Sequence, residues 1–461
     1  MIKTDNIVAI ASPPGKGAIS LIRISGNNCI SQIDNIFYGF EEKKLIDQES
    51  HKLQLGYIKD GDEIIDKVLV TVFRNPKSYT GEDLVEISCH GSIYIQEKIL
   101  QTILSQKCRI ADPGEFTLRS FINGKMDLSE AEAVADLISS NTKASHKLAL
   151  NQMRGGFKSD INRLREELVN FASLIELELD FSQEDVEFAN INKLNDLVLR
   201  MEKKLTDLVK SFKIGNVIKN GLPIVIIGKP NSGKSTLLNC LLNEEKAIVS
   251  SVPGTTRDSI EDEININGIK CRFIDTAGIR KTDDKIENLG IKKTYKKIEE
   301  AEIILYLIDK SILNNKNIDN YLSEISKIKK DFNEKEIIVL INKCDIKAKV
   351  SDDNLISFSG IQISAKQGLN IENLIDRISI YMSKLSIDSH NVIVTNSRHL
   401  DLLSKTLNEI KKIKLSIKQN ISSDLLSIEI KQASYFLGEL TGEISNDELL
   451  GNIFSKFCIG K

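Results

Sequence analysis

The chain has 461 residues, of which 41% are hydrophobic, 28% charged and 5% aromatic, with no Trp. That apolar content excludes wholesale disorder, leaves Leu, Ile and Val to fill the cores, and with this length fits about two to four domains. Lys and Arg number 62 against 65 for Asp and Glu, a formal charge of −3, which excludes a uniformly basic nucleic-acid coat but not a local basic face.

The opening MIKTDNIVAIASPPGKG carries a short apolar run and then Pro-Pro-Gly, the signature of a strand and turn rather than a signal peptide. Up to Asn123 the texture is β-rich. Strands are predicted at Ile7–Ala11, Ile19–Ile24, Lys52–Tyr57, Val68–Phe73 and Leu84–Ser88, and a helix at Ile93–Leu104. Residues 1–123 thus read as an α+β domain. From Leu128 the pattern turns helical: Phe157, Ile161, Leu164, Leu168, Phe171, Ile175 and Leu179 recur at steps of three and four, as do Leu194, Leu197, Met201, Leu205, Leu208 and Phe212. These two faces are read as bundle core over residues 124–215, with a short break from Gly215 to Gly221. Strands and helices then alternate over 216–385, the pattern of a parallel sheet.

After Asn391 the chain is helical again. Leu403, Leu407 and Ile410 begin one face, Leu425 to Leu440 another, and Ser445-Asn-Asp-Glu448 reads as a capping box before a last short helix. Residues 386–461 are expected to pack with 124–215 as an all-α bundle, so that the α/β block is an insertion. The seven cysteines are scattered and never form CxxC, consistent with reduced thiols. No apolar run approaches the roughly 20 residues of a membrane span. A soluble cytoplasmic protein is expected. His90 and His146 read as structural.

The chemistry is concentrated in the α/β block. Gly228-Lys-Pro-Asn231-Ser232-Gly233-Lys234-Ser235-Thr236 fits the phosphate loop GxxxxGK[ST], after an apolar strand and before a helix. Such a loop turns its N–H groups toward phosphate, Lys234 reaches the β- and γ-phosphates, and Ser235 ligates Mg²⁺. Asp275-Thr276-Ala277-Gly278 closes the next strand, where Asp275 can hold Mg²⁺ through water and the Gly278 N–H can sense the γ-phosphate. Asn342-Lys343-Cys344-Asp345 supplies Asp345, which can accept from guanine N1–H and N2–H₂, a pair that adenine lacks. Ser364-Ala365-Lys366 adds backbone contacts to the base. Four motifs in register make a GTPase.

Many GTPases orient the attacking water with a Gln directly after DTAG. Ile279 stands there instead. Asn231 can ligate a monovalent cation beside the phosphates, which would do the electrostatic work of an arginine finger. Thr256, in the switch-like Ser250–Asp258, can ligate Mg²⁺. Asp283, Asp284 and Glu287 are all candidates for orienting water, and spacing does not choose among them.

NSGKS, PGTTRD, DTAGIR and NKCD, set between helices, together with PPGKGAISLIRISG, TGEDLVEISCHG, PGEFTLRSFINGKMDL and the terminal Phe457-Cys458-Ile459-Gly460-Lys461, resemble the MnmE (TrmE) family of tRNA wobble-uridine modification GTPases. The likeness spans essentially the whole chain. It implies an N-terminal domain that dimerises and binds a 5-formyl- or methylene-tetrahydrofolate, with Arg23, Glu86, Lys125 and Lys461 at the matching positions. It implies a K⁺ site of Asn231, Ser250, Val252 and Thr255, Mg²⁺ on Ser235 and Thr256, and Glu287 as the acid that orients water. It further implies a homodimer whose hydrolysis follows K⁺-dependent joining of the GTPase domains. The implied partner is a flavoprotein of the MnmG (GidA) kind, in a heterotetramer-type complex acting on tRNA away from membranes. Cys458 is implicated in the modification step, although a lone Cys also reads as an inert small hydrophobe. The alternative is a regulatory GTPase switch on ribosome or RNA. A basic RNA-binding flank would mark it, in place of a tail ending Cys-Ile-Gly-Lys.

Overall fold

The computed structural model describes residues 5–40, 44–180, 191–244, 262–274, 290–346, 356–385, 393–444, 447–455, 457 and 459–460. The described backbone divides into two compact units, one of residues 1–139, 149–206 and 401–461, the other of 140–148 and 207–400.

Strict alternation writes the first sheet. Its strands are β1 (Asn6–Ile10), β2 (Ile19–Ser25), β3 (Phe37–Gly39), β4 (Leu53–Asp60), β5 (Glu63–Phe73), β6 (Leu84–His90) and β7 (Cys108–Ile110), in the order β3-β4-β5-β6-β2-β1-β7. Along β5, Val68, Val70 and Val72 are buried while Lys67, Leu69 and Thr71 point away, the period of two that fixes register. Helices α1 (Cys29–Asp34) and α2 (Ile93–Ser105) supply Cys29, Ile33, Ile99 and Ile103 to the same core. The opposite face leaves Leu53, Leu55 and Leu69 exposed. The antiparallel register sets Arg23 of β2 opposite Glu86 of β6.

The helices follow: α3 (Glu115–Ile122), α4 (Leu128–Ser139), α5 (Lys143–Met153), α6 (Gly156–Asp180) and α7 (Ile191–Asn220). Most periodic positions behave as their spacing predicts, with Phe171 and Phe212 half-buried and the side chain of Leu179 outside the described residues. Phe157, Ile161, Leu164, Leu168 and Ile175 are buried, as are Leu194, Leu197, Met201, Leu205 and Leu208. The break predicted from Gly215 is absent, and the 215/216 boundary falls inside one unbroken helix, α7. Gly215 serves there as a point of close approach, because a Cβ at that position would collide with the Val394 carbonyl. The helix ends instead at Gly221, whose φ of +91° is a left-handed cap.

The second sheet contains β8 (Leu222–Ile227), β9 (Asp262–Ile266), β10 (Ile269–Phe273), β11 (Ile303–Asp309), β12 (Glu336–Asn342) and β13 (Ile361–Gln362), ordered β13-β12-β11-β8-β10-β9. All neighbours are parallel except the β9–β10 hairpin, which turns on Asn267-Gly268 with both residues at positive φ. The central strands β8 and β11 are buried at every residue, as both-face coverage requires. Around this sheet lie α8 (Lys234–Glu244), α9 (Gly290–Glu300), α10 (Ile318–Asp331) and α11 (Ile371–Leu385).

The chain returns through α12 (Ser397–Lys418), α13 (Ser423–Thr441) and α14 (Asp447–Phe454). Leu403, Leu407 and Ile410 are buried on α12, and α13 buries Leu426, Ile430, Ala433, Leu437 and Leu440. Residues 445 and 446 of the predicted capping box lie outside the described residues. Phe454 and Phe457 share a core with Leu128 and Ala131.

Candidate functional site

The carboxyl ends of β8, β11, β12 and β13 lie along one edge of the second sheet, where an open α/β fold binds its ligand. The phosphate loop leaves β8 and enters α8. Its turn needs residues that accept positive φ, and Gly228, Asn231 and Gly233 do so at +150°, +61° and +98°. A Cβ at Gly228 would collide with the Leu307 carbonyl and one at Gly233 with the Asn342 amide, so neither position admits a larger residue without rearrangement.

Lys234, the first residue of α8, turns its ammonium back into the loop. It donates to the Gly228 carbonyl at 2.9 Å and the Lys229 carbonyl at 3.0 Å. Burial pushes this ammonium below its ordinary pKa, so a phosphate brought alongside would favour the charged form. Ser235 and Thr236 follow on the first turn of the same helix. The residues present therefore fit a nucleotide polyphosphate: a loop of left-handed turns, a helix N-terminus and a poised cation.

Asn342 ties the turn after β12 and the loop after β13 to the phosphate loop. Its amide donates to the Ser232 carbonyl at 2.8 Å, and its Oδ1 accepts the Ala365 N–H at 3.0 Å. Ser364 is buried, bridges to Leu369 and shapes the loop after β13, while Lys366 is exposed. Lys343 donates to the Asn231 carbonyl at 3.2 Å. Asp345 is exposed on the turn after β12, free of burial that would hinder a base. Asp345→Asn should lower GTP affinity about ten- to a hundredfold and erase the preference for GTP over XTP. Competition binding with the two nucleotides would show it, and an intact preference would remove Asp345 from base recognition.

Ser250, Val252, Thr255, Thr256, Asp275, Thr276, Ala277, Gly278 and Glu287 lie outside the described residues, as do Cys458 and Lys461. Asn231 is exposed on the loop crest.

A second constellation occupies the N-terminal sheet. Arg23 bonds Glu86 through Nε at 2.9 Å and Nη2 at 2.8 Å, and its Nη1 donates to the Gly460 carbonyl at 3.2 Å. The guanidinium carbon lies 5.3 Å from the Tyr79 ring centroid and 5.8 Å from that of Phe116. Gly460 is buried against Ile10 and Ala11, at the end of β1. Lys125 donates instead to the Pro76 carbonyl at 2.9 Å, on the loop that also carries Tyr79. Two of the four matching folate positions are thus joined directly, with the tail beside them.

Sequence reasoning did not find the charged cluster next to this site. Arg119 is 4% exposed and bonds the Glu82 carboxylate at 3.1 Å, Glu115 at 3.0 Å and Asp5 at 3.1 Å. Arg109 bonds Glu115 at 2.6 Å and Asp5 at 2.7 Å. The four-residue spacing of Glu115 and Arg119 on α3 was a visible signal, but the partners from other segments were not.

Comparison with known proteins gives two family models that fit this chain: GTP-binding protein TrmE N-terminus over residues 6–125, and MnmE helical domain over residues 128–458. Curated proteins described as tRNA modification GTPase MnmE are 52% identical in Flavobacterium johnsoniae, 53% in Flavobacterium psychrophilum and 48% in Cytophaga hutchinsonii. The first two cover 100% of both chains, and the third covers 99% of this chain and 98% of its own. The chain belongs to the MnmE family of tRNA modification GTPases. Among solved structures, the FeoB G-domain from Methanococcus jannaschii is 23% identical over 35% of this chain and 98% of its own, at a TM-score of 0.24. That score carries no weight beside the family match. The range matched by the MnmE helical model includes the phosphate loop. Among the described residues, no helix is long and apolar enough to cross a membrane.

Proposed function

We propose that this GTPase drives modification of carbon 5 of the wobble uridine in tRNA, adding a (carboxymethyl)aminomethyl-type group together with a flavoprotein partner. The observation that supports the reading is the presence, in one chain of this family, of a phosphate loop tied to the NKCD turn through Asn342 and of the Arg23–Glu86 pair bonded to Gly460. Arg23 offers a guanidinium to folate carboxylates, Glu86 an acceptor to a pterin edge, and Tyr79 and Phe116 two rings alongside. The tetrahydrofolate supplies the one-carbon unit when bound. Lys125, Lys461 and Cys458 complete this proposed site.

In the GTP site, Lys234 neutralises charge on the β- and γ-phosphates. Ser235 and Thr256 would hold Mg²⁺, with Asp275 supporting it. Ile279 cannot hydrogen-bond water, and the family resemblance assigns that task to Glu287. Asn231, Ser250, Val252 and Thr255 would hold K⁺, whose charge would supply the stabilisation that an arginine finger gives elsewhere. The homodimer forms through the N-terminal domain, a reading supported by the exposed Leu53, Leu55 and Leu69 on one sheet face.

The test has two arms. A nucleoside mass profile of bulk tRNA from cells lacking the gene should lose a carbon-5-modified wobble uridine. Wild type should restore it and Arg23→Ala should not. GTP hydrolysis by the purified chain should slow sharply when Na⁺ replaces K⁺. An unchanged nucleoside profile would discard the wobble-uridine step in favour of a ribosome- or RNA-associated switch, and equal rates in both salts would remove the K⁺ site.

A further inference from the structure

Beyond the motif residues, the nucleotide site is braced by a carboxylate that no GTPase motif includes. Parallel pairing of β11 with β12 sets Asp309 beside Asn342, one residue before Lys343. Asp309 is 4% exposed. Its Oδ1 accepts the Ser311 N–H at 2.8 Å and hydroxyl at 2.6 Å, and its Oδ2 accepts the Lys343 ammonium at 2.5 Å. That ammonium makes its other bond to the Asn231 carbonyl of the phosphate loop.

Both ends of this link sit in the left-handed region, Lys343 at φ +66° and Asn231 at +61°. Residues with side chains remain there only where surrounding contacts hold them. A buried carboxylate needs a charged or hydrogen-bonding partner, and this one finds it in the residue that also carries the loop. Burial works against the Asp309 charge, yet the bonds from Lys343 and Ser311 outweigh it and hold the carboxyl below its ordinary pKa. A separate contact steadies the same loop, for the Lys229 ammonium lies 4.1 Å from the ring centroid of the buried Tyr321.

We propose that Asp309 is a positioning residue of the GTP site: it fixes Lys343 in its left-handed turn and, through the Lys343–Asn231 bond, sets the main chain of the phosphate loop. Asp309 acts without touching nucleotide. Its role differs from that of Asn342, which holds Ser232, the next residue of the loop.

The test uses the full chain with Asp309→Asn, which keeps the side-chain size and the acceptor for Ser311 but removes the charge facing Lys343. Hydrogen exchange should rise in the peptide over residues 228–236 while β8 and β11 keep their protection. GDP affinity by calorimetry should fall about tenfold, the loss of one charge-assisted bond, with the GDP-over-XDP preference retained. Asp309→Glu should recover part of the affinity. Wild-type loop protection and GDP affinity in Asp309→Asn would overturn the proposal, and so would exchange that rises equally through the whole sheet. If Asp309→Asn does not fold, Lys343→Gln reads the same loop exchange, and unchanged protection there overturns the proposal equally.

Discussion

Lys234→Ala is expected to cut GTP turnover by about a hundred- to a thousandfold, the size seen when one charge-stabilising group is removed from a transition state. The reasoning rests on where the ammonium lies. It bonds two loop carbonyls at 2.9 and 3.0 Å and touches no other element in those bonds, so its removal should leave the sheet and its packing intact. Release of inorganic phosphate under single-turnover conditions, beside an unchanged far-UV spectrum, would check it. Undiminished hydrolysis would mean that these left-handed turns do not hold the reacting phosphates.

Arg119→Ala is expected to be strongly destabilising, costing about 3 kcal/mol, because it opens a cluster in which Arg119 is buried, strips Glu82 of this guanidinium and leaves Arg109 alone to pair with the buried Glu115 and with Asp5. Arg119→Lys should recover little, since an ammonium cannot reproduce bonds that leave two guanidinium nitrogens in different directions. Arg200→Ala is the control: its pair with Glu167 is exposed, and it should shift stability by less than about 1 kcal/mol. Urea denaturation would separate these cases. A loss for Arg119→Ala no larger than that of the control would show the cluster to be ornamental.

The same cluster sets an acid limit. The bond from Arg109 is the main cause holding the Asp5 carboxyl below its ordinary pKa. At Glu115 burial pushes upward, and the bonds from Arg109, Asp112 and Arg119 overcome it, leaving this carboxyl low as well. Groups with lowered folded-state pKa values add stability that is present above their unfolded values, about 4, and is lost as pH falls through the folded ones. The wild type should therefore lose stability more steeply below about pH 4 than Arg119→Ala does.

What could be read beforehand follows from the range of each signal. The phosphate loop and NKCD are contiguous strings whose chemistry depends on local spacing, and they fall at strand ends as predicted. The faces of α6 and α7 were equally legible, because period 3.6 is local. Gly215 was misread since a glycine that breaks a helix and one that admits a neighbour's carbonyl look alike in sequence. Asp309 and Arg119 were missed for a related reason. Each draws its meaning from partners brought together by sheet register or by segments more than a hundred residues apart, such as Asp5 and Arg119. The resemblance named Arg23 and Lys461 for one site, but the bond from Arg23 to Gly460 appeared only in the structure, since no pattern in either segment points to the other.

That last bond spans 437 positions, and it has a consequence for how the chain is made. The strand carrying Arg23 emerges from the ribosome well before Gly460 is added. At about 5–20 residues per second, synthesis separates the two by roughly 20–90 s. Through that interval the nascent N-terminal domain has the Arg23–Glu86 pair but lacks the tail along Ile10 and Ala11. This bond is thus timed by translation itself: it can form only on a polypeptide whose GTPase block has already been synthesised.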